Sequence, residues 1–279
     1  MGRRGSFNHD DPAPAATAGS LTVADGPGPA AGTGSVSGSG SDRPDRAAAG
    51  PGSRAAVAAR TSGPVTPFAD RRAAGRALGE RLVETSAPGA DLVVLGLPRG
   101  GVIVAAEVAA ALSAPLDVLV VRKLGLPGQP ELAMGAIAAV GEAVETVRVA
   151  RVLAAAPVEE AAFAEVHSRE LAELRRREAA YRGDRPPVPL TGRDVVIVDD
   201  GLATGATMDA AVLALRGRHP RSIVVAVPVG SHRACSSLAR DVDQLVCLDV
   251  PFLFRAVGQG YADFGETTDE EVRAALGRA

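Results

Sequence analysis

The chain has 279 residues, a net charge of −3 and a pI near 5.9, with 46% apolar and 23% charged residues. That is enough for one large or two small domains, and it gives no bulk electrostatic reason to expect a nucleic-acid or membrane partner. Two cysteines, Cys235 and Cys247, are too few for a disulfide framework or a cysteine-based zinc site. No run approaches the roughly 20 continuous apolar residues of a membrane span, and the N-terminus lacks the apolar core of a secretory signal, so a cytoplasmic protein is expected.

Residues 1–62 are dominated by Gly, Ala, Ser, Pro and Asp, as in Ala31–Asp42, with no periodic apolar face. Such a stretch buries too little surface to offset its ordering entropy and reads as a disordered tail. An ordered domain is expected over 66–279. Ala74, Leu78 and Leu82 predict a helix within Phe68–Glu84. Leu92–Leu97 is a solid apolar run, hence a buried strand, and is followed by the turn Pro98–Gly101 and an Ala-rich helix over Val102–Leu112. Leu116–Val121 predicts a second strand, leading into Arg122–Glu131, whose glycines and prolines predict an irregular loop.

Further on, Met134–Val140 and Val144–Val149 predict a strand pair, and Pro157 opens a charged helix to about Tyr181. Its stripe is Phe163, Val166, Leu171 and Leu174, with His167 on the solvated side. Strands at Asp194–Val198, Ser222–Pro228 and Gln244–Leu248 alternate with helices at Met208–Arg216 and Ala234–Arg240, and a short helix covers Asp269–Leu276. This alternation implies an α/β fold, a mostly parallel sheet flanked by helices. Ligands bind such sheets beyond the carboxyl ends of the strands.

At one such end the chain reads Asp199-Asp200-Gly201-Leu202-Ala203-Thr204-Gly205-Ala206-Thr207 before a helix. Two adjacent carboxylates at the end of a buried strand lose hydration and need a partner, which a sugar diol or a hydrated cation would supply. The turn at Thr204–Thr207 delivers backbone N–H groups, two hydroxyls and a helix N-terminus to one place, a cradle for a phosphate. Diol and phosphate together describe a ribose 5-phosphate. No Gly-Lys-Ser/Thr follows the glycine, which excludes a P-loop.

This strand, acid pair and Thr-Gly-x-Thr loop resembles the phosphoribosyl pyrophosphate (PRPP) motif of the type I phosphoribosyltransferases. The order Phe68–Gly75, PRGG, RKLG, DDGLATGAT and Gly258–Phe264 is similar to a bacterial subgroup of that family whose acceptor is unassigned. The resemblance implies that Asp199 and Asp200 hold the ribose hydroxyls, while Ala203, Thr204, Gly205, Ala206 and Thr207 line the 5-phosphate. It also implies that Arg99, Gly100 and Gly101 bind pyrophosphate, and that Arg122–Glu131 is a mobile lid. A small hood around Val257–Asp263 completes the family fold, with Asp263 a candidate metal ligand and Mg2+ otherwise held mainly by substrate.

Lys123 is the only lysine of the chain, every other basic residue apart from histidine being Arg. A lone lysine in such a chain is either chance or a place where a compact ammonium is needed and a guanidinium will not serve. With the lid and the pyrophosphate turn that the resemblance implies, Lys123 and Arg99 are the catalytic candidates. Ala203 stands where the 6-oxopurine enzymes of the family carry a base-assisting aspartate, which removes that subgroup but not the reaction. The implied activity is transfer of ribose 5-phosphate from PRPP to a nitrogenous small-molecule acceptor, with release of pyrophosphate. The alternative is a PRPP-binding regulator of the same fold without turnover. Assembly stays open, a homodimer included.

Overall fold

A computed structural model describes residues 20–22, 57–60, 67–85, 91–140 and 143–277. Most of the segment that reads as a tail lies outside them. Its two described stretches are short strands, β1 (Ser20–Thr22) and β2 (Val57–Arg60), each at a sheet edge. The remaining strands are β3 (Leu92–Gly96), β4 (Leu116–Val118), β5 (Val120–Leu126), β6 (Gln129–Val140), β7 (Ala143–Arg148), β8 (Asp194–Val198), β9 (Ser222–Val229) and β10 (Gln244–Asp249). The helices are α1 (Arg71–Thr85), α2 (Gly100–Leu112), α3 (Ala150–Ala155), α4 (Glu160–Arg182), α5 (Ala206–Arg216), α6 (His232–Leu238) and α7 (Asp269–Leu276). Among the described residues no helix is long and apolar enough to cross a membrane.

The central sheet runs β2-β10-β9-β8-β3-β4 with every neighbouring pair parallel. Its inner strands β3, β8 and β9 are apolar over nearly their whole length and buried, as expected where helices cover both faces. Val94, Val196 and Val246 pack towards Leu78 of α1, Val104 of α2 and Val272 of α7. Their neighbours Val93, Val195 and Leu245 point the opposite way, onto Met208 and Val212 of α5 and Leu238 of α6. Helices α1 and α2 approach closely because Gly75 and Gly79 present no side chain. A Cβ on Gly75 would lie 2.7 Å from the Val104 carbonyl oxygen, and one on Gly79 would lie 2.6 Å from Ala111 Cβ.

A second sheet, β1-β7-β6-β5, stands beside the first. The predicted strand Leu116–Val121 is divided at Leu119, whose N–H still bonds the Gly96 carbonyl at 3.0 Å. Beyond it β5 leaves the central sheet and pairs antiparallel with β6. The loop expected over Arg122–Glu131 is therefore a hairpin. Val120, Leu124 and Leu126 are buried in the cluster that includes Phe163 and Val166 of α4, a period of two that decides for strand. Pro127–Gly128 makes a two-residue turn in which Gly128 has φ +80°, a conformation that favours glycine. The charged helix begins at Glu160 rather than Pro157, preceded by α3. His167 is half-buried, 3.0 Å from the Thr146 hydroxyl, and desolvation lowers its pKa.

Candidate functional site

Strands β3 and β8 end level. Gly96 pairs with Val198, and the Leu97 N–H bonds the Val198 carbonyl at 2.9 Å. The PRGG turn and the acid pair are thus brought side by side by sheet register. The two glycines make the approach feasible. A Cβ on Gly100 would overlap Asp200 Oδ2, and one on Gly101 would lie 2.8 Å from both Asp199 Cα and Asp199 Oδ1. No side chain fits at either position without displacing the carboxylates.

The acid pair is partly open to solvent and largely desolvated. The Asp200 N–H donates to Asp199 Oδ1 at 2.8 Å, and Arg71 Nε donates to Asp200 Oδ2 at 2.9 Å. Burial, reinforced by the neighbouring Asp200 charge, holds the Asp199 carboxyl well above the ordinary carboxylate range. Burial also raises Asp200, with the hydrogen bond from Arg71 acting against it. Two carboxylates are therefore kept together at an energetic cost that a hydroxyl-rich or cationic ligand would relieve.

The loop that follows is anchored from behind and bare in front. The Leu202 N–H bonds the Val229 carbonyl at 2.9 Å, while the Ser231 N–H bonds the Leu202 carbonyl at 2.8 Å and the Ser231 hydroxyl bonds the Ala203 carbonyl at 2.7 Å. Ala203, Thr204, Ala206 and Thr207 are exposed, and Gly205 is buried. Gly205 is the N-cap of α5, with φ +84° and no side chain of its own to cap the helix. The Thr204 hydroxyl accepts the Ala206 N–H at 3.4 Å. The exposed N-terminus of α5 presents its positive dipole end beside the acid pair.

Above these groups lies the hood. The Tyr261 hydroxyl donates to the Asp200 carbonyl at 2.5 Å, and Phe264 stacks on Tyr261 with ring centroids 5.0 Å apart. Gly201 is closed in by the hood, since a Cβ there would overlap the Val257 side chain. Asp263, the candidate metal ligand, turns its carboxylate onto its own loop and accepts the Gly265 N–H at 3.0 Å. Arg99 stands on the PRGG turn, where its guanidinium pairs with Glu266 of the hood. Lys123 is exposed on β5. By strand alternation it shares the face of Val121, which packs with the α5 cluster.

The phosphoribosyl transferase domain profile matches residues 69–255, about two thirds of the chain, which includes Arg71, the PRGG turn, the acid pair and the loop after it but not the hood. The chain belongs to the phosphoribosyltransferase family. Two curated Mycobacterium tuberculosis proteins, from strains H37Rv and CDC 1551, provisionally named phosphoribosyl transferases, are each 51% identical over 212 residues. The match covers 76% of this chain and 47% of theirs, so the chain spans about half the length of these relatives. The crystal structure of TT1426 from Thermus thermophilus superposes with a TM-score of 0.68 at 47% identity, over 76% of this chain and 98% of that one. A mostly parallel sheet with flanking helices is thus shared with a solved relative.

The sequence of this phosphoribosyltransferase-family chain does not point to Arg71. Its partner is 129 residues away in the chain, and the stretch Phe68–Gly75 reads locally as the start of a helix. The available signal is the placement of this segment in the family order, which points to the region but not to the residue.

Proposed function

We propose that the chain binds PRPP across the ends of β3 and β8 and transfers its phosphoribosyl group to a nitrogenous acceptor, releasing pyrophosphate. The observation that supports this best is the contact of Gly100 and Gly101 with Asp200 and Asp199, beside the bare N-terminus of α5. One molecule that carries a diol between a monophosphate and a pyrophosphate would engage all three elements. Asp199 and Asp200 take the ribose hydroxyls, the Ala203–Thr207 loop takes the 5-phosphate, and the PRGG turn takes pyrophosphate.

The C1–O bond to pyrophosphate breaks, a C1–N bond forms, and the acceptor nitrogen gives up one proton. Positioning and charge stabilisation dominate such a reaction. Lys123 and Arg99 add positive charge towards the departing group, Lys123 from the β5–β6 hairpin and Arg99 from the turn itself. Adjacent carboxylate oxygens suit Mg2+, and among the described residues no group of three or more His, Cys, Asp or Glu converges to complete a shell. Asp199 and Asp200 would therefore hold the ion together with the substrate, and Mg2+, when bound, supplies charge to the pyrophosphate leaving group.

The test is to add PRPP and Mg2+ and to follow pyrophosphate release against a panel of nitrogenous bases. Release with at least one base is expected. Thermal stabilisation by PRPP with no release from any of them would point instead to a PRPP-binding regulator.

A further inference from the structure

Arg71, the first residue of α1, joins four separate parts of the fold. Its Nε donates to Asp200 Oδ2 at 2.9 Å, and its Nη1 donates to the Gly265 carbonyl at 2.8 Å. Its guanidinium carbon lies 3.9 Å from the centre of the Phe264 ring. Its Nε also sits 2.7 Å from the position that a Cβ on Gly100 would take. One cation therefore touches the helix, the PRGG turn, the acid pair and the hood.

Two features distinguish it from a purely structural arginine. Arg182 on α4 has a side chain only 6% exposed, and it directs both Nη atoms to protein acceptors, Asp117 and Glu178 among them. The Arg71 side chain is 13% exposed, and its hydrogen bonds to described residues engage one N–H at Nε and one at Nη1. The others remain for a ligand. The second feature is charge. A pyrophosphate bound at the PRGG turn would bring further negative charge against two carboxylates that the fold already holds at contact distance, and like charges so close repel strongly. The guanidinium that touches both the acid pair and the PRGG turn is that of Arg71, whereas the Arg99 side chain pairs with Glu266.

We infer that Arg71 is a pyrophosphate-binding residue, pairing Asp200 on one side and a pyrophosphate oxygen on the other, so that acid pair and pyrophosphate share one site. This rests on the proposed PRPP site and adds to it a residue that acts on one part of the ligand only. Its planar fork suits two anionic partners at once, as an ammonium does not.

The full chain is titrated calorimetrically with pyrophosphate and, separately, with ribose 5-phosphate, both with Mg2+. For Arg71→Gln, loss of a charge-assisted contact is expected to weaken pyrophosphate about 10- to 100-fold. Ribose 5-phosphate affinity should be unchanged or tighter, since Asp200 is released to the sugar. Arg71→Lys should recover part of the pyrophosphate affinity, and it decides the matter if the Gln variant does not fold. Equal weakening of both ligands would make Arg71 a structural clamp and overturn the inference. So would unchanged pyrophosphate binding in a variant of a wild type that binds both probes. A wild type that binds neither overturns the proposed site itself, and the inference with it.

Discussion

The ends of β3 and β8 and the β5–β6 hairpin both carry charge, under opposite constraints. At the strand ends, Asp199, Asp200 and Arg71 are held by neighbouring backbone, by sheet register and by glycines that admit no Cβ. On the hairpin, Leu124 and Leu126 are buried against α4 while Lys123, next to Leu124, is exposed. The first region is built to hold charges at fixed separation before any ligand arrives, which is the arrangement that stabilises a transition state without reorganisation. The second is fixed to α4 by Leu124, Leu126 and the Arg122–Glu170 ion pair, and leaves the Lys123 side chain exposed and outside that packing. Binding is expected to depend on the first region and turnover on the second.

That division can be broken most decisively at Lys123. Lys123→Ala should raise the barrier by about 3–4 kcal/mol, roughly 10²–10³ in turnover, with far less change in PRPP affinity. Steady-state pyrophosphate release measured beside calorimetric binding separates the two, and equal effects on both would end the distinction. Gly100→Ala should act in reverse. Its Cβ overlaps Asp200 Oδ2, and displacing that carboxylate from the sugar hydroxyls should weaken binding by about 10- to 100-fold. Titration with PRPP should show that loss while circular dichroism stays native.

The smallest effect sharpens the comparison through stability. The folded-state pKa of Asp199 is raised above its unfolded value by burial and by Asp200. A raised carboxyl stabilises the fold fully below the unfolded pKa, and that contribution is lost as pH rises through the folded one. Above the unfolded pKa the ligand-free fold is therefore destabilised by this group, whether it stays protonated or buries its charge. Asp199→Asn should raise its melting temperature by about 2–4 °C for each kcal/mol relieved, with the gain shrinking on acidification to about pH 4. A gain that persists at that pH, or a loss at neutral pH, would show that the carboxylate is not held at a cost.

The readable part of this molecule is what is contiguous in sequence. Asp199–Thr207 announces strand end, acid pair, loop and helix within one stretch, and the solid apolar runs of β3, β8 and β9 announce a sheet covered on both faces. The hairpin reads as an irregular loop because Gly125, Pro127, Gly128 and Pro130 outweigh the alternation of Val120, Leu124 and Leu126. In the fold, the bulge at Gly125 absorbs the irregularity, since a Cβ there would lie 2.6 Å from the Pro130 carbonyl oxygen. Arg71 is invisible in sequence because its role is defined by partners on three distant segments, and no local pattern marks such a convergence. The pairing of Arg99 with Glu266, 167 residues apart, escapes for the same reason.

Calorimetric titration of PRPP with Mg2+ into the wild type and into the Asp199→Asn/Asp200→Asn double variant addresses the assignment at its root. Saturable binding by the wild type, lost in a double variant that remains folded, is the predicted result. Undiminished affinity without the two carboxylates would contradict it.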